Sequence, residues 1–189
     1  MEDEGPIADL LNIEITQTDD GKVKLTQSSY IETLVTAHAP TDAVRPSHQA
    51  VRTPCDESLI KHVAEALSVI EPVDDDFRRK YQSLVGALLY CSVNTRPDVA
   101  FSVGYLCRAM AKPTDELCAD ALRVLYYLDR TKEIGLTYDG DDAELHGLTD
   151  SDWAVKHSTS GFLFMLNKAA ISWGSKKQTS IALSFAWPS

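Results

Sequence analysis

The sequence predicts an α+β fold: an N-terminal β-hairpin and helix, then a region of three helices, then a four-stranded antiparallel sheet. Three observations support this order. Apolar residues alternate along residues 10–27, recur every three or four positions along 77–132, and alternate again after residue 133. The 189 residues suffice for one large domain or two small ones.

The hairpin is predicted from two alternating runs, residues 10–16 and 22–27, on either side of Asp20 and Gly21. Asp-Gly is typical of tight hairpin turns, because both residue types tolerate a positive φ. Residues 28–39 then show helical spacing, and Ser28 or Ser29 is expected to cap that helix.

A long loop or linker is predicted for residues 40–76, which carry four prolines and little periodicity. One short helix is expected inside it, near residues 62–69.

Three helices are predicted to follow, beginning near Phe77, Pro97 and Asp115. Thr95 to Asp98 fits a capping box, with Pro97 in the first turn, where a missing N–H costs nothing. Thr114 is expected to cap the third helix, with acids next to the positive end of its dipole. Its predicted buried face consists of Leu117, Ala121, Val124, Leu125 and Leu128.

Four strand-like segments end the chain, residues 134–138, 144–151, 161–166 and 169–173. The turns between them are short, so they predict one antiparallel, meander-like sheet, with a tight turn at Asn167 and Lys168. A helix that would cover such a sheet is expected to begin near residues 179–184.

Composition narrows the classes of function. The formal net charge of −10 argues against a domain that binds nucleic acid by itself, since phosphate contacts require a basic face. No apolar run approaches the roughly 20 residues of a membrane span, and the acidic N-terminus lacks the basic start of a signal peptide. We therefore expect an intracellular protein without membrane contact. The four cysteines show no CxxC spacing and are expected to be buried free thiols.

Six segments resemble, in order, the C-terminal part of the polyprotein of copia-type retrotransposons. Any one of them is a weak signal, but the shared order makes coincidence improbable. The N-terminal residues 1–15 are also similar to the segment that follows the polymerase active site in that family. The six segments are YQSLVGALLY (81–90), TRPDVAFSVGYLCRAMAKP (95–113), LRVLYYLDRTKEIGLTY (122–138), TDSDWA (149–154), STSGFLF (158–164) and AISWGSKKQTSIALS (170–184).

The resemblance implies a domain organisation. Residues 1–39 would be the palm-end or thumb hairpin and helix of a reverse transcriptase, and 40–76 a linker. Residues 77–132 would be its helical thumb or connection region. Residues 133–189 would be an incomplete ribonuclease H-like domain, whose four-stranded sheet is the one predicted above. The partner implied for the parent polyprotein is an RNA–DNA hybrid, and the implied cofactor is Mg²⁺, bound as a pair of ions by carboxylates.

The resemblance also assigns candidate site residues. Asp150 matches the first catalytic aspartate of the ribonuclease H domain and so becomes the candidate metal ligand. Asp152 shares its strand face at a spacing of two and is a candidate for a supporting role. Lys176 and Lys177 are candidate nucleic-acid contacts, with a solvated turn as the alternative.

Several other residues have plainer interpretations. Two solvated acids at a strand end would explain Asp150 and Asp152 without the flanking motifs. Surface histidines explain His146 and His157. Trp153 and Trp173 are expected in the core of the sheet. A serine nucleophile is not expected, since no base lies at a suitable spacing from residues 158–160.

The leading hypothesis is a fragment of a copia-type reverse transcriptase and ribonuclease H polyprotein. The family's aromatic-x-Asp-Asp polymerase motif would precede Met1, and the later ribonuclease H acids would follow Ser184. We therefore expect the chain alone to have neither activity and to bind Mg²⁺ only weakly. The alternatives are a non-catalytic scaffold or binding module, and a longer active product.

Overall fold

The computed structural model describes residues 8–40, 51–140, 143–151 and 159–178. Helices and strands are both present there, so the fold is α+β, as predicted. The helices are α1 (Ser28–His38), α2 (Ser58–Ser68), α3 (Asp75–Asn94), α4 (Ala100–Arg108) and α5 (Asp115–Arg130), and a 3₁₀ turn at Pro97–Val99 precedes α4. The strands are β1 (Asp9–Leu10), β2 (Ile13–Gln17), β3 (Val23–Thr26), β4 (Leu136–Tyr138), β5 (His146–Ser151), β6 (Thr159–Leu166) and β7 (Ala169–Lys177).

The first sheet has the order β1-β2-β3-β4 and is antiparallel throughout. Its β2–β3 hairpin is the predicted one, and Gly21 adopts φ 84° in the turn. The sheet also contains a second tight turn. Leu11 and Asn12 take φ of 55° and 62° and fold β1 back onto β2, where the alternating pattern indicates one continuous strand.

The prediction of a four-stranded C-terminal sheet is wrong. Strand β4 pairs with β3, with Thr137 opposite Lys24, and therefore completes the first sheet. The second sheet contains β5, β6 and β7 within the described residues. Alternation shows that a segment is a strand but carries no information about its partner, so the sequence pattern alone groups residues 134–138 with the strands that follow them.

The helices pack around one apolar core to which all five contribute. The face predicted for α5 is confirmed, since Leu117, Ala121, Leu125 and Leu128 are fully buried and Val124 is 1% exposed. The four cysteines are free thiols, and only Cys91 is fully buried. Burial raises the pKa of the Cys91 thiol to about 12, so it stays protonated and unreactive at neutral pH.

Helix α2 lies in the stretch predicted to be mostly loop. It begins at Ser58 rather than near residue 62, and Leu59, Val63 and Ala66 are buried in the helical core. The His62 Nδ1 lies 2.8 Å from the Asp120 Oδ2 of α5, which ties the two helices together. The helix has only 11 residues and lies between Pro54 and Pro72, in the proline-rich stretch that favours the interpretation as a linker.

Of the three helix caps predicted from the sequence, the structure confirms one. Thr114 caps α5 as predicted, accepting a 3.3 Å hydrogen bond from the Leu117 N–H. Helix α1 is not capped by its serines. Instead the Glu14 carboxylate of β2 accepts a 2.8 Å bond from the Ser29 N–H. The capping box at Thr95 is also wrong, because the Thr95 hydroxyl donates to the Gln27 side chain at 2.7 Å.

A buried arginine connects the start of α4 to the end of α5. Arg96 is 1% exposed, and its guanidinium donates to both carboxylate oxygens of Asp98 and to the backbone oxygen and hydroxyl of Thr131. Burial raises the pKa of Asp98, but the Arg96 guanidinium outweighs it and holds that pKa below its usual value. Such a desolvated charge requires its partners, so this network fixes the two elements relative to each other.

None of the helices in the described part of the chain combines the length and hydrophobicity needed to cross a lipid bilayer.

Candidate functional site

The second sheet carries Asp150 near the end of its first strand. Asp150 pairs with Gly161 of β6, and Gly161 pairs in turn with Ser175 of β7. Because side chains alternate along a strand, Leu148 and Asp150 share one face of β5. Both side chains are exposed and line the same cavity. The sheet register therefore presents the predicted metal ligand at an accessible strand end.

That cavity, of about 430 Å³, lies between the second sheet and the start of α4. Pro97, Ala100 and Phe101 form its helical side, and Leu163 and Trp173 belong to its sheet side. Most of the wall is apolar, and Asp150 is the carboxylate among its lining residues. The arrangement places one negative charge next to an aromatic surface.

Two side-chain hydrogen bonds attach the sheet to the helices. The Trp173 indole N–H donates to the Ser92 carbonyl of α3 at 2.7 Å. The Tyr105 and Thr159 hydroxyls lie 3.1 Å apart and join α4 to β6. Trp173 is partly buried against a small cluster of Leu136, Ala169 and Ala170, in agreement with its predicted core position. The cavity thus lies between elements that these contacts hold in place.

The described donors do not fit a pair of Mg²⁺ ions. Two-metal hydrolysis requires several carboxylates that bridge and flank the ions. Across residues 8–40, 51–140, 143–151 and 159–178, no group of three or more His, Cys, Asp and Glu side chains could hold a metal. Asp150 is accompanied in the cavity wall by the hydroxyl residues Thr149, Thr159 and Ser175. The described carboxylates at this cavity are therefore too few for two-metal hydrolysis by themselves.

Several predicted site residues lie outside the described residues: Asp152, Trp153, His157 and Ser158. His146 is described, is exposed, and starts β5 at the end opposite to Asp150. The structure therefore does not bring His146 and Asp150 together. Thr159 is buried beside Tyr105, and the Ser160 hydroxyl accepts a 2.6 Å bond from Gln178, so both have structural contacts.

The two candidate nucleic-acid contacts lie at the end of β7 and are exposed. Lys176 is opposite Ser160, and Lys177 is opposite Thr159. As neighbours in a strand they face opposite sides of the sheet, so they do not form one cationic surface. Strand β6 also separates them from the strand of Asp150.

Phe101 and Arg108 are site neighbours that the sequence analysis missed. The Phe101 and Tyr105 rings pack with their centroids 4.7 Å apart, and the Arg108 guanidinium lies 3.7 Å from the Tyr105 centroid. These residues continue from the cavity wall along one side of α4. The 101, 105, 108 spacing is a signal in the sequence, but at helical spacing aromatic residues more often belong to a core.

Comparison with known proteins gives relatives but no structural template. Over 109 residues the chain is 44% identical to the secreted RxLR effector protein 161 of Plasmopara viticola, covering 55% of this chain and 77% of that protein. It is 33% identical over 97% of its length to the retrovirus-related Pol polyprotein from transposon TNT 1-94 of Nicotiana tabacum. It is 30% identical over 94% of its length to a putative transposon Ty5-1 protein of Saccharomyces cerevisiae.

The coverage of these relatives differs widely. The chain spans 14% of the TNT 1-94 polyprotein and 56% of the Ty5-1 protein. No protein-family model matches the chain. No solved structure matches it either.

Proposed function

Because the chain belongs to the family of retrovirus-related Pol polyproteins of copia-type transposons, we propose that it is the segment joining the reverse transcriptase thumb to the ribonuclease H domain. Helices α1 to α5 would be the thumb and connection region. Strands β5 to β7 would be the first strands of the ribonuclease H sheet. The lineage function would be RNA-directed DNA synthesis and hydrolysis of the RNA strand in hybrids.

The observation that supports this proposal most directly is the position of Asp150. It lies near the end of the first strand of an antiparallel sheet, with its side chain exposed at a cavity. A carboxylate at such a position can contribute to a divalent-ion site once further carboxylates are placed against it. In this proposal the rest of the polyprotein supplies those carboxylates.

Residues 1–189 are proposed to be inactive by themselves. The described part offers one carboxylate at the cavity rather than a set, so Mg²⁺ would remain mostly hydrated there. The purified chain should neither extend a primed RNA template nor cleave RNA in an RNA–DNA hybrid. Nucleotide incorporation or hybrid cleavage that copurifies with the chain would overturn this part of the proposal.

The decisive experiment extends the chain with the segment that follows the matching region in the TNT 1-94 polyprotein. We expect the extended chain to cleave RNA in a hybrid in the presence of Mg²⁺. Asp150→Asn should reduce cleavage to background, because it removes the charge while keeping the shape. Asp152→Asn should have a milder effect.

The matched control for this experiment is Asp19→Asn, at an exposed acid in the β2–β3 turn. It should cleave normally. Full cleavage by the Asp150→Asn variant, or a larger loss with Asp152→Asn, would refute the assignment of Asp150.

A second candidate function is a non-catalytic scaffold or binding module. The similarity to the RxLR effector protein favours it, because the matched region makes up 77% of that protein. A region similar to these 109 residues therefore makes up most of a separate protein. If the extended chain folds but remains inactive, this candidate becomes the better one.

A further inference from the structure

Helix α2 has two apolar sides. Leu59, Val63 and Ala66 are buried in the helical core. Ile60, Ala64 and Leu67 are spaced by four and three residues, so they share another side of the helix. All three are exposed, Ile60 by 46% and Leu67 by 50%. We call this set the α2 stripe. An aliphatic row in water on an ordered helix suggests a surface for a second helix.

A charged pair accompanies the α2 stripe. Lys61 and Glu65 are exposed, and the Lys61 Nζ lies 3.6 Å from the Glu65 Oε1. Each follows one residue after a member of the stripe, Lys61 after Ile60 and Glu65 after Ala64. The two charges therefore lie along the same edge of the apolar row and have opposite signs.

The α2 stripe and its charged pair are complementary to the same residues of a second copy whose α2 runs in the opposite direction. In two antiparallel copies related by a two-fold axis, the same edges of the two helices face each other. An axis near Ala64 places Ile60 opposite Leu67 of the other copy. The same axis places Lys61 near Glu65 of the other copy, so both charged pairs form at once. The small Ala64 side chain lets the helices approach closely at the crossing.

We propose that the α2 stripe is a self-association surface, on which a second copy of this chain docks its own α2 antiparallel around a two-fold axis near Ala64. An isologous two-fold contact needs one self-complementary patch, and the stripe with its charged edge is such a patch. This inference is independent of the proposed catalytic lineage, because it uses no residue of the cavity.

The size of the surface predicts a weak dimer. A helix of 11 residues is about 16 Å long, which is too short to bury the roughly 800 Å² per partner of standard interfaces. Each copy also carries a net charge of −10, so the copies repel each other at low salt. We therefore expect a dissociation constant in the micromolar to millimolar range, with association strengthened by salt that screens the net charge.

The test uses paired charge reversals in the whole chain, followed by sedimentation equilibrium from about 10 μM to 1 mM. Lys61→Glu places only acids on the edge, and Glu65→Lys places only bases there. Each variant alone should therefore be at least about tenfold weaker in self-association than the unmodified chain, since like charges then face each other. An equimolar mixture of the two variants should form a heterodimer.

The double variant Lys61→Glu with Glu65→Lys should regain association, because the pairing is restored with its signs exchanged. Lys80→Glu, at an exposed lysine of α3, has the same charge change outside the stripe and should leave association unchanged apart from the net-charge effect. Circular dichroism verifies that each variant is folded. A chain that stays monomeric at 1 mM, or a mixture that associates no better than its separate variants, would overturn the proposal.

Discussion

At the scale of single residues, Glu14 shows how one side chain connects two elements. Its Oε1 accepts from the Ser29 N–H at the start of α1, and its Oε2 accepts a 2.8 Å bond from the Thr26 hydroxyl of β3. Hydrogen bonds from the Ser29 hydroxyl and N–H lower the pKa of Glu14 from 4.5 to about 2. A carboxylate at a helix N-terminus is favoured by the helix dipole.

We predict that Glu14→Gln lowers the free energy of unfolding by about 0.5–1 kcal/mol at pH 7, because it keeps an acceptor but removes the charge. The folded-state pKa of Glu14 is depressed, so the contribution of the charge is present in full above pH 4.5. It disappears as the pH falls towards about 2. Urea unfolding of both proteins across this pH range measures the difference.

The control for this prediction is Glu71→Gln, at an exposed glutamate between α2 and α3. It should change stability by less than about 0.5 kcal/mol. A Glu14→Gln deficit that stays constant between pH 6 and pH 2.5 would show that the charge is not its source.

At the scale of elements, the entry into β4 depends on a glycine. A Cβ on Gly135 would lie 1.9 Å from the Leu25 backbone oxygen and 2.9 Å from the Thr26 methyl carbon. The close neighbour is backbone of β3, the strand with which β4 pairs, so it cannot move away without breaking the pairing. Helix α5 can therefore lead into β4 only through a residue that has no side chain.

We predict that Gly135→Ala destabilises the protein by more than about 2 kcal/mol, because the clash forces β4 away from β3. Gly86→Ala is the matched control. Gly86 lies in the middle of α3, where an added Cβ would meet nothing within 4 Å, and there alanine should stabilise by about 0.5–1 kcal/mol. Thermal melting of both variants gives the comparison. Equal melting temperatures would mean that β4 can shift without cost.

The helices and strands also show which features could be predicted from the sequence and which could not. The α5 face, the Thr114 cap, the β2–β3 turn and the turn at Asn167 and Lys168 follow from local spacing and residue type, and all are present. The pairing of β4 with β3, the capping of α1 by Glu14 and the burial of α2 depend on residues far away in the chain. Periodicity cannot encode those contacts.

The candidate site could likewise be predicted only in part. The motif around Asp150 predicts a strand that the structure contains, with Asp150 near the end of β5. The cavity beside it could not be predicted, because its helical side comes from the start of α4, about fifty residues earlier in the chain. The α4 residues beside it have a spacing that a core helix would share.

At the scale of the whole molecule, the two sheets contact each other, since the Tyr138 hydroxyl of β4 donates to the Ala170 carbonyl of β7 at 2.7 Å. One face of the second sheet contacts the helices through Trp173 and Tyr105. On the other face Phe162 and Phe164 are 40% and 39% exposed, with the two rings 5.9 Å apart. A sheet that buries one face only retains less apolar burial than the helices do.

We predict that amides in β5 to β7 exchange with solvent faster than amides in α3 and α5, because local opening costs less where fewer apolar contacts break. Trp173→Phe removes the indole donor to Ser92 and should accelerate exchange in the second sheet, while α5 keeps its protection. Hydrogen exchange followed by mass spectrometry resolves these segments. Uniform slow exchange across both regions would contradict the prediction.

Strand β4 is translated long after its partner β3, and this order matters during synthesis on the ribosome. The outer edge of β3 receives its partner only after α1 to α5 have been translated, and the nearby contact from the Ser28 hydroxyl to the Lys132 carbonyl joins residues 104 positions apart. At about 5–20 residues translated per second, β3 lacks a partner at its outer edge for roughly 5–20 seconds. During that interval it presents unpaired backbone N–H and carbonyl groups, on which another nascent chain or a chaperone can bind.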